Sequence, residues 1–293
     1  MTHTRTPEVF VEGLCFAEAP RWHAGKLWFS DFFRHEVLCA DASGRLESVA
    51  HVPHSPSGLG WLPDGTMLAV SMHDCTVLAI ENGNENGNES GATRVYANLS
   101  KYVPGPCNDM LVDPAGRAYV GNFGFNLYAD EPERATDLLC VLPDGSVRVA
   151  ARELRFPNGM ALTPDGRTLI VAETFGQRIS AFDVDVEGNG ALSRRRVFAD
   201  LAGSYPDGLC LDAEGAVWVA DARGNRVLRV KEGAGVVDSI AMGDEQGYAC
   251  MLGGEDGHTL FLCAAPGIGA ENGARRAGRI LAVRVDVPHA GLP

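Results

Sequence analysis

The chain has 293 residues, 25 of them Lys or Arg and 38 Asp or Glu, for a formal charge of −13 at pH 7. So acidic a balance argues against nucleic-acid binding, which needs a basic face, and none is visible in the sequence. With 45% hydrophobic and 22% charged residues, the composition is that of a globular protein able to build a full core.

In chain order, the opening residues MTHTRTPEVF lack the apolar run of a signal peptide. No later stretch approaches membrane-spanning length, so a soluble, cytoplasmic protein with no membrane partner is expected. Residues 9–12 (VFVE) read as a strand. One phrase then repeats: a polar residue, an apolar strand, a turn containing Gly, and a second strand. Its copies lie at 15–31 (CFAEAPRWHAGKLWFSD), 55–71 (SPSGLGWLPDGTMLAVS) and 105–122 (GPCNDMLVDPAGRAYVGN). They continue at 156–173 (FPNGMALTPDGRTLIVAE), 205–221 (YPDGLCLDAEGAVWVAD) and 249–264 (ACMLGGEDGHTLFLCA). The turn glycines, from Gly25 to Gly257, recur roughly every 40 to 50 residues, the period of propeller blades. Third runs such as 178–184 (RISAFDV) and 226–230 (RVLRV) alternate polar and apolar residues, as a strand with one wetter face does.

The last run, 279–286 (RILAVRVD), is predicted to pair with 9–12, which would close the ring and remove exposed sheet edges. The expected fold is all-β: a six-bladed β-propeller closed by pairing of its N- and C-terminal strands, one domain spanning 1–293. Two segments break the rhythm. Residues 81–90 (ENGNENGNES) are a polar, low-complexity tract expected as a surface loop. Residues 123–138 are an aromatic and acidic connection, either an ordinary long link or a lid over a site. Eight scattered cysteines form no C-x-x-C pair and are expected as free, buried thiols of a reducing compartment.

The repeat also locates a candidate site. Stepping back eight residues from each turn glycine, or seven in the first copy, gives Glu18, Ser57, Asn108, Asn158, Asp207 and Ala249. First strands of propeller blades line the central axis, so these positions should converge there. Taken singly, an Asp or Asn at a strand start is more often a turn cap. Recurrence around a ring favours a site, because stacked amides and carboxylates are costly unless something satisfies them. Glu18 and Asp207 with the neutral oxygen of Asn158 make a hard, oxygen-only set suited to calcium, magnesium or manganese. Asp31, Ser71, Asn122, Glu173 and Asp221 close the second strands and should surround this ring. Some of them could orient ligands, although for each alone a strand-end role is the plainer expectation. His51 and His54 read as ordinary loop histidines, whereas His73 stands near the presumed mouth. Cys107 lacks a nearby base and reads as a packed thiol.

With those residues in hand, the chain resembles the SMP-30/gluconolactonase/luciferin-regenerating-enzyme family of six-bladed β-propellers. The resemblance rests on FAEAPRW around Glu18, then PCND, FPNGMAL and YPDGLCLDAEG in this order. It implies one axial divalent cation held by Glu18, Asn158 and Asp207, calcium first, with magnesium, manganese, zinc or iron(II) as alternatives. It further implies substrate contacts at Asn108 and Asp109, with Phe123, Phe125 and Glu173 as further candidates. Many sugar-lactone members carry an Arg two residues before that Asn, where this chain has Pro106. They are often acidic where this chain has Phe123 and Phe125. Both departures tilt the pocket toward a less polar lactone or ester.

The reaction implied is hydrolysis of a small-molecule lactone. The cation polarises the carbonyl, Asn108 orients it or the water, and Asp207 takes the proton, or else a water activated by the cation attacks directly. Hydrolysis of another ester or a phosphotriester, a ring rearrangement, and a non-catalytic interaction scaffold are the competing readings.

Overall fold

A computed structural model describes residues 5–81 and 91–291. The low-complexity tract therefore lies, from residue 82 onward, outside the described residues. Six four-stranded antiparallel sheets follow one another as blades. The first consists of Ala17–His23, Lys26–Asp31, Glu36–Ala40 and Leu46–His51, in that order from the inside outward. The inner strands of the next five are Pro56–Trp61, Cys107–Val112, Pro157–Leu162, Pro206–Leu211 and Gln246–Gly253. Each inner strand contacts the inner strands of both neighbouring blades, so the six form a closed ring.

The repeated phrase becomes the inner hairpin of every blade. In the fourth, Gly166 adopts φ +71°, a conformation that only glycine adopts without strain, and donates to the Thr163 carbonyl at 2.8 Å. Inner strands such as PNGMAL and PDGLCL are buried at every position, while outer strands such as Leu192–Asp200 expose several residues. This gradient follows from blades stacked face to face, with side chains interleaved between adjacent sheets. One apolar cluster, for example, joins Ile170 and Ala172 of the fourth blade to Leu209, Val217 and Leu228 of the fifth.

The sixth blade is completed by the other end of the chain. Glu8–Leu14 lies antiparallel to Gly278–Arg284, with Val9 opposite Leu281 and Val11 opposite Ile280. The predicted closure is present. Among the described residues, helix is confined to a short 3-10 turn, Leu127–Ala129, and one helix of 6 residues, Ala270–Arg275, which the strand rhythm did not foretell. No helix among the described residues is long and apolar enough to cross a membrane.

A β-bulge near the start of each inner strand aims one side chain at the axis. In the fifth blade Pro206 pairs with Asp221 and Leu209 with Val219, leaving Asp207 and Gly208 against a single partner position. The glycine after the bulged residue lets neighbouring inner strands touch. A Cβ added at Gly159 would lie 2.4 Å from the Leu209 nitrogen and 2.6 Å from the Asp207 carbonyl oxygen. Gly159→Ala is therefore expected to destabilise the fold by about 2 kcal/mol or more, since backbone cannot give way as a side chain can. Urea unfolding would show this as a lower midpoint at unchanged m-value.

Candidate axial site

Five of the six positions expected on the axis line one cavity of about 380 Å³: Glu18, Ser57, Asn108, Asn158 and Asp207. The sixth is corrected. Ala249 is turned into the apolar core, and Tyr248 faces the cavity instead. The reason is register. The bulge of this strand lies between Gly247 and Ala249, one position earlier than in the fifth blade, so counting back eight from the turn stops one residue short.

The polar floor is buried: Asn158 is 5% and Asp207 7% exposed. Asn158 donates from its amide nitrogen to the Thr174 hydroxyl at 3.2 Å, and Thr174 donates to the Pro206 carbonyl at 2.8 Å. The Asn158 amide lies close enough to Asp207 to oppose the rise in its pKa. The amide nitrogen of Asn108 lies 3.4 Å from the Pro157 carbonyl, at the edge of hydrogen-bonding range. Glu18 accepts from the Ala19 N–H at 3.2 Å. Asp207 Oδ1 is buried and has no hydrogen-bond partner. Burial pushes the Glu18 carboxyl well above the usual range, and the negative charges of Asp207 and Asp109 push it further. Asp207 is raised in the same way, by burial first and then by the Asp109 charge.

Three residues expected at the substrate are not brought to the cavity. Asp109 is committed behind the floor, accepting from Arg21 Nη2 at 2.7 Å in an ion pair buried on both sides. Phe125 packs behind the lining, with its ring 6.0 Å from Phe156 and 5.6 Å from Phe175. Glu173 has a fully buried carboxylate that accepts from Arg178, Arg195, Ser180 and the Arg155 N–H. Its hydrogen bonds are all spent inside the blade, so a substrate contact is the wrong role for it. Asp31 and Asp221 behave alike, accepting from the Phe16 and Tyr205 N–H groups at 2.9 Å. These strand-end carboxylates position the cavity wall from behind.

Phe123 does line the cavity, as expected, and it is one ring among many. Five phenylalanines and three tyrosines form the wall. Phe16, Phe32, Phe156, Phe175, Tyr128 and Tyr205 were not singled out from the sequence, yet a signal was there. The residue two before each ring position is Phe16, Phe156 or Tyr205 in the first, fourth and fifth copies. Arg223 stands at the edge with its guanidinium 4.2 Å from the Tyr205 ring centroid.

His73 faces a neighbouring cleft with His35 and His54, edge-on to Phe32 and Tyr128. Burial, then the two nearby histidines, lower its pKa. Cys107 is fully buried against Cys75, whose hydrogen bond, with burial, raises the Cys107 thiol well above its usual value. All eight cysteines are free.

A closed ring of six blades with carboxylates and amides meeting in an axial well defines the class: a β-propeller with a polar cavity at its hub. Within that class, the chain belongs to the SMP-30/Gluconolactonase/LRE-like family, whose profile matches residues 16–266. It is 32% identical over 160 residues to regucalcin of Danio rerio, an alignment covering 54% of each chain. It is 30% identical over 194 residues to the 6-deoxy-6-sulfogluconolactonase of Pseudomonas putida, covering 64% of each. The matched part thus spans about half the length of the regucalcins, 54% in the Danio rerio protein. Among solved structures, a luciferin-regenerating enzyme superposes with a TM-score of 0.82 at 18% identity, covering 97% of both chains. The calcium-binding protein regucalcin of Agrobacterium tumefaciens gives 0.79 at 21% identity, covering 99% of this chain and 96% of that one. At such identities the two structures speak for the fold.

Proposed function

We propose that this chain is a lactone-opening hydrolase that works with one divalent cation held by Glu18, Asn158 and Asp207. Calcium is the first choice for an all-oxygen donor set, and a neighbour in fold is described as calcium-binding. The sulfogluconolactonase of Pseudomonas putida supports the reaction class. The observation that carries the reading is the orphaned Asp207 Oδ1, buried beside a second carboxyl, Glu18, whose pKa is likewise raised by burial and by the negative charge of its neighbours. An unsatisfied polar atom at such depth costs about 1–3 kcal/mol, more when charged. A cation between the two carboxylates would remove both penalties, so the residues present fit the group.

When bound, the cation supplies Lewis-acid polarisation of the ester carbonyl and stabilises the negative charge that develops on its oxygen. The chain's own residues do the rest. Thr174 fixes the Asn158 amide, and Asn108 stands on the floor where it can orient the carbonyl or the attacking water. Water adds its oxygen to the acyl carbon and the ring C–O bond breaks. Asp207 accepts the proton released by the water, which then passes to the departing ring oxygen. The aromatic wall limits the entry of competing solvent.

The test is elemental analysis of the purified protein followed by chelation, with a panel of lactones, aryl esters and phosphotriesters. Lactones should turn over, lose turnover on stripping and regain it with calcium. Unchanged turnover after stripping would remove the cation from the reaction, and turnover confined to phosphotriesters would replace the reaction class.

A further inference from the structure

The family reading leaves open what kind of lactone enters, and the wall of the cavity speaks to that. Above the polar floor lies a second layer, built by the same repeat. It comprises the residue just before each inner strand and the residue just after its hairpin partner. A backbone hydrogen bond locks the two together in every one of the first five blades. Phe32 N–H donates to the Phe16 carbonyl at 2.9 Å, Met72 to Ser55 at 2.9 Å, and Phe123 to Pro106 at 2.9 Å. Thr174 donates to Phe156 at 3.1 Å and Ala222 to Tyr205 at 3.0 Å. The backbone of the layer is thus tied blade by blade, and five of its ten positions are aromatic: Phe16, Phe32, Phe123, Phe156 and Tyr205.

Those rings are packed on one another as well. Phe123 stacks on Phe156 with centroids 4.3 Å apart, Phe156 meets Phe175 at 5.0 Å, and Phe16 meets Tyr248 at 4.5 Å. Polar groups at this height are few and several are already engaged. Thr174 bonds Asn158 and Pro206, and the Tyr248 hydroxyl donates to Gln246. A polyhydroxylated sugar ring held here would lose water from most of its hydroxyls without replacement partners, with a desolvation penalty at each one. A flat apolar body loses nothing polar and gains the packing of the rings.

We infer that the substrate of this site is a lactone carrying an aromatic or similarly flat apolar body, held with its carbonyl toward the floor and its body in the ring layer. The inference rests on the lactonase reading and goes beyond it to the substrate class. Specificity then resides in Phe16, Phe123, Phe156 and Tyr205, contributed by the wall, rather than in the floor residues.

The experiment uses calcium-loaded protein with 3,4-dihydrocoumarin and D-glucono-1,5-lactone as probes. In parallel, calorimetry measures binding of the ring-opened products, 3-(2-hydroxyphenyl)propanoate and gluconate. The expected result is a kcat/KM at least about 100-fold higher for the aryl-fused lactone, mostly through KM. Its product should also bind more tightly than gluconate. Phe156→Ala should narrow the preference by raising KM for the aryl lactone, and Phe156→Leu should restore most of it. Equal or better hydrolysis of the sugar lactone would overturn the substrate class while leaving the hydrolase reading intact. Tighter binding of the aryl product without hydrolysis of either probe would support the apolar ligand and sink the lactonase reading. Tighter binding of gluconate would overturn the inference whatever the rates.

Discussion

If the proposed cation-assisted hydrolysis holds, replacing Asp207 with asparagine is expected to lower kcat/KM for a lactone substrate by at least about 1,000-fold, because loss of a Lewis acid would forfeit several kcal/mol of barrier reduction. The substitution keeps the shape of the floor and removes one of its two negative charges, so affinity for a divalent cation falls with it. Stability should move the other way in the stripped protein. Asp207 is buried with Oδ1 unpartnered and lies within the field of Glu18 and Asp109, a repulsive arrangement that neutral asparagine relieves. Calorimetry without metal should therefore show a higher unfolding temperature for the variant. With calcium the order should reverse, because a ligand at 100 times its Kd adds about 2.7 kcal/mol to a protein that binds it. An Asp207→Asn protein that keeps both its activity and its calcium-dependent stabilisation would end the assignment of this residue.

The second large effect is expected at Glu173, away from the chemistry. Its carboxylate accepts from Arg178 Nε at 3.0 Å, Arg195 Nη2 at 2.6 Å, Ser180 Oγ at 2.5 Å and the Arg155 N–H at 2.9 Å. Glu173→Ala leaves those donors facing a void, and breaking a buried pair of this kind costs about 3–5 kcal/mol. Burial alone would raise the Glu173 carboxyl. The hydrogen bonds from Arg178, Ser180, Arg155 and Arg195 outweigh it and hold the group below its ordinary value of 4.5. A depressed folded value means that this contribution is complete above about pH 4.5 and is lost as pH falls through the lower folded value. Urea unfolding at neutral pH should show the full deficit of the variant, and at strongly acidic pH the gap between variant and wild type should shrink. A gap that stays constant across that range would assign the loss to packing rather than to the ionised carboxylate.

What the sequence made legible follows from what a repeat can encode. The turn glycines and the Pro or polar residue ahead of each strand recur at a fixed spacing, so the blade count and five of the six floor positions could be read by alignment. The sixth, Tyr248, could not, because a bulge displaced by one residue alters which side chain faces the axis without changing the turn. Glu173 was misplaced for a related reason. Its position at a strand end by the mouth is right, but the direction of its side chain depends on Arg178 and Arg195 from the two outer strands of its blade. The ring layer was the largest omission. Phe16, Phe156 and Tyr205 lie two residues before floor positions, a recurrence visible in the repeat, but whether an aromatic there faces the cavity or the core is set by the packing of neighbouring blades.

The seam between Glu8–Leu14 and Gly278–Arg284 bears on how the molecule is made. Blades one to five can each complete their pairing as consecutive strands leave the ribosome, whereas the last sheet must wait until Gly278–Arg284 has emerged to meet Glu8–Leu14. Joining distant segments adds only a logarithmic entropic penalty, so the delay is a matter of rate rather than of final stability. Until then both flanks of the nascent arc present unpaired backbone, and that interval is when the chain is most open to misassembly with its neighbours.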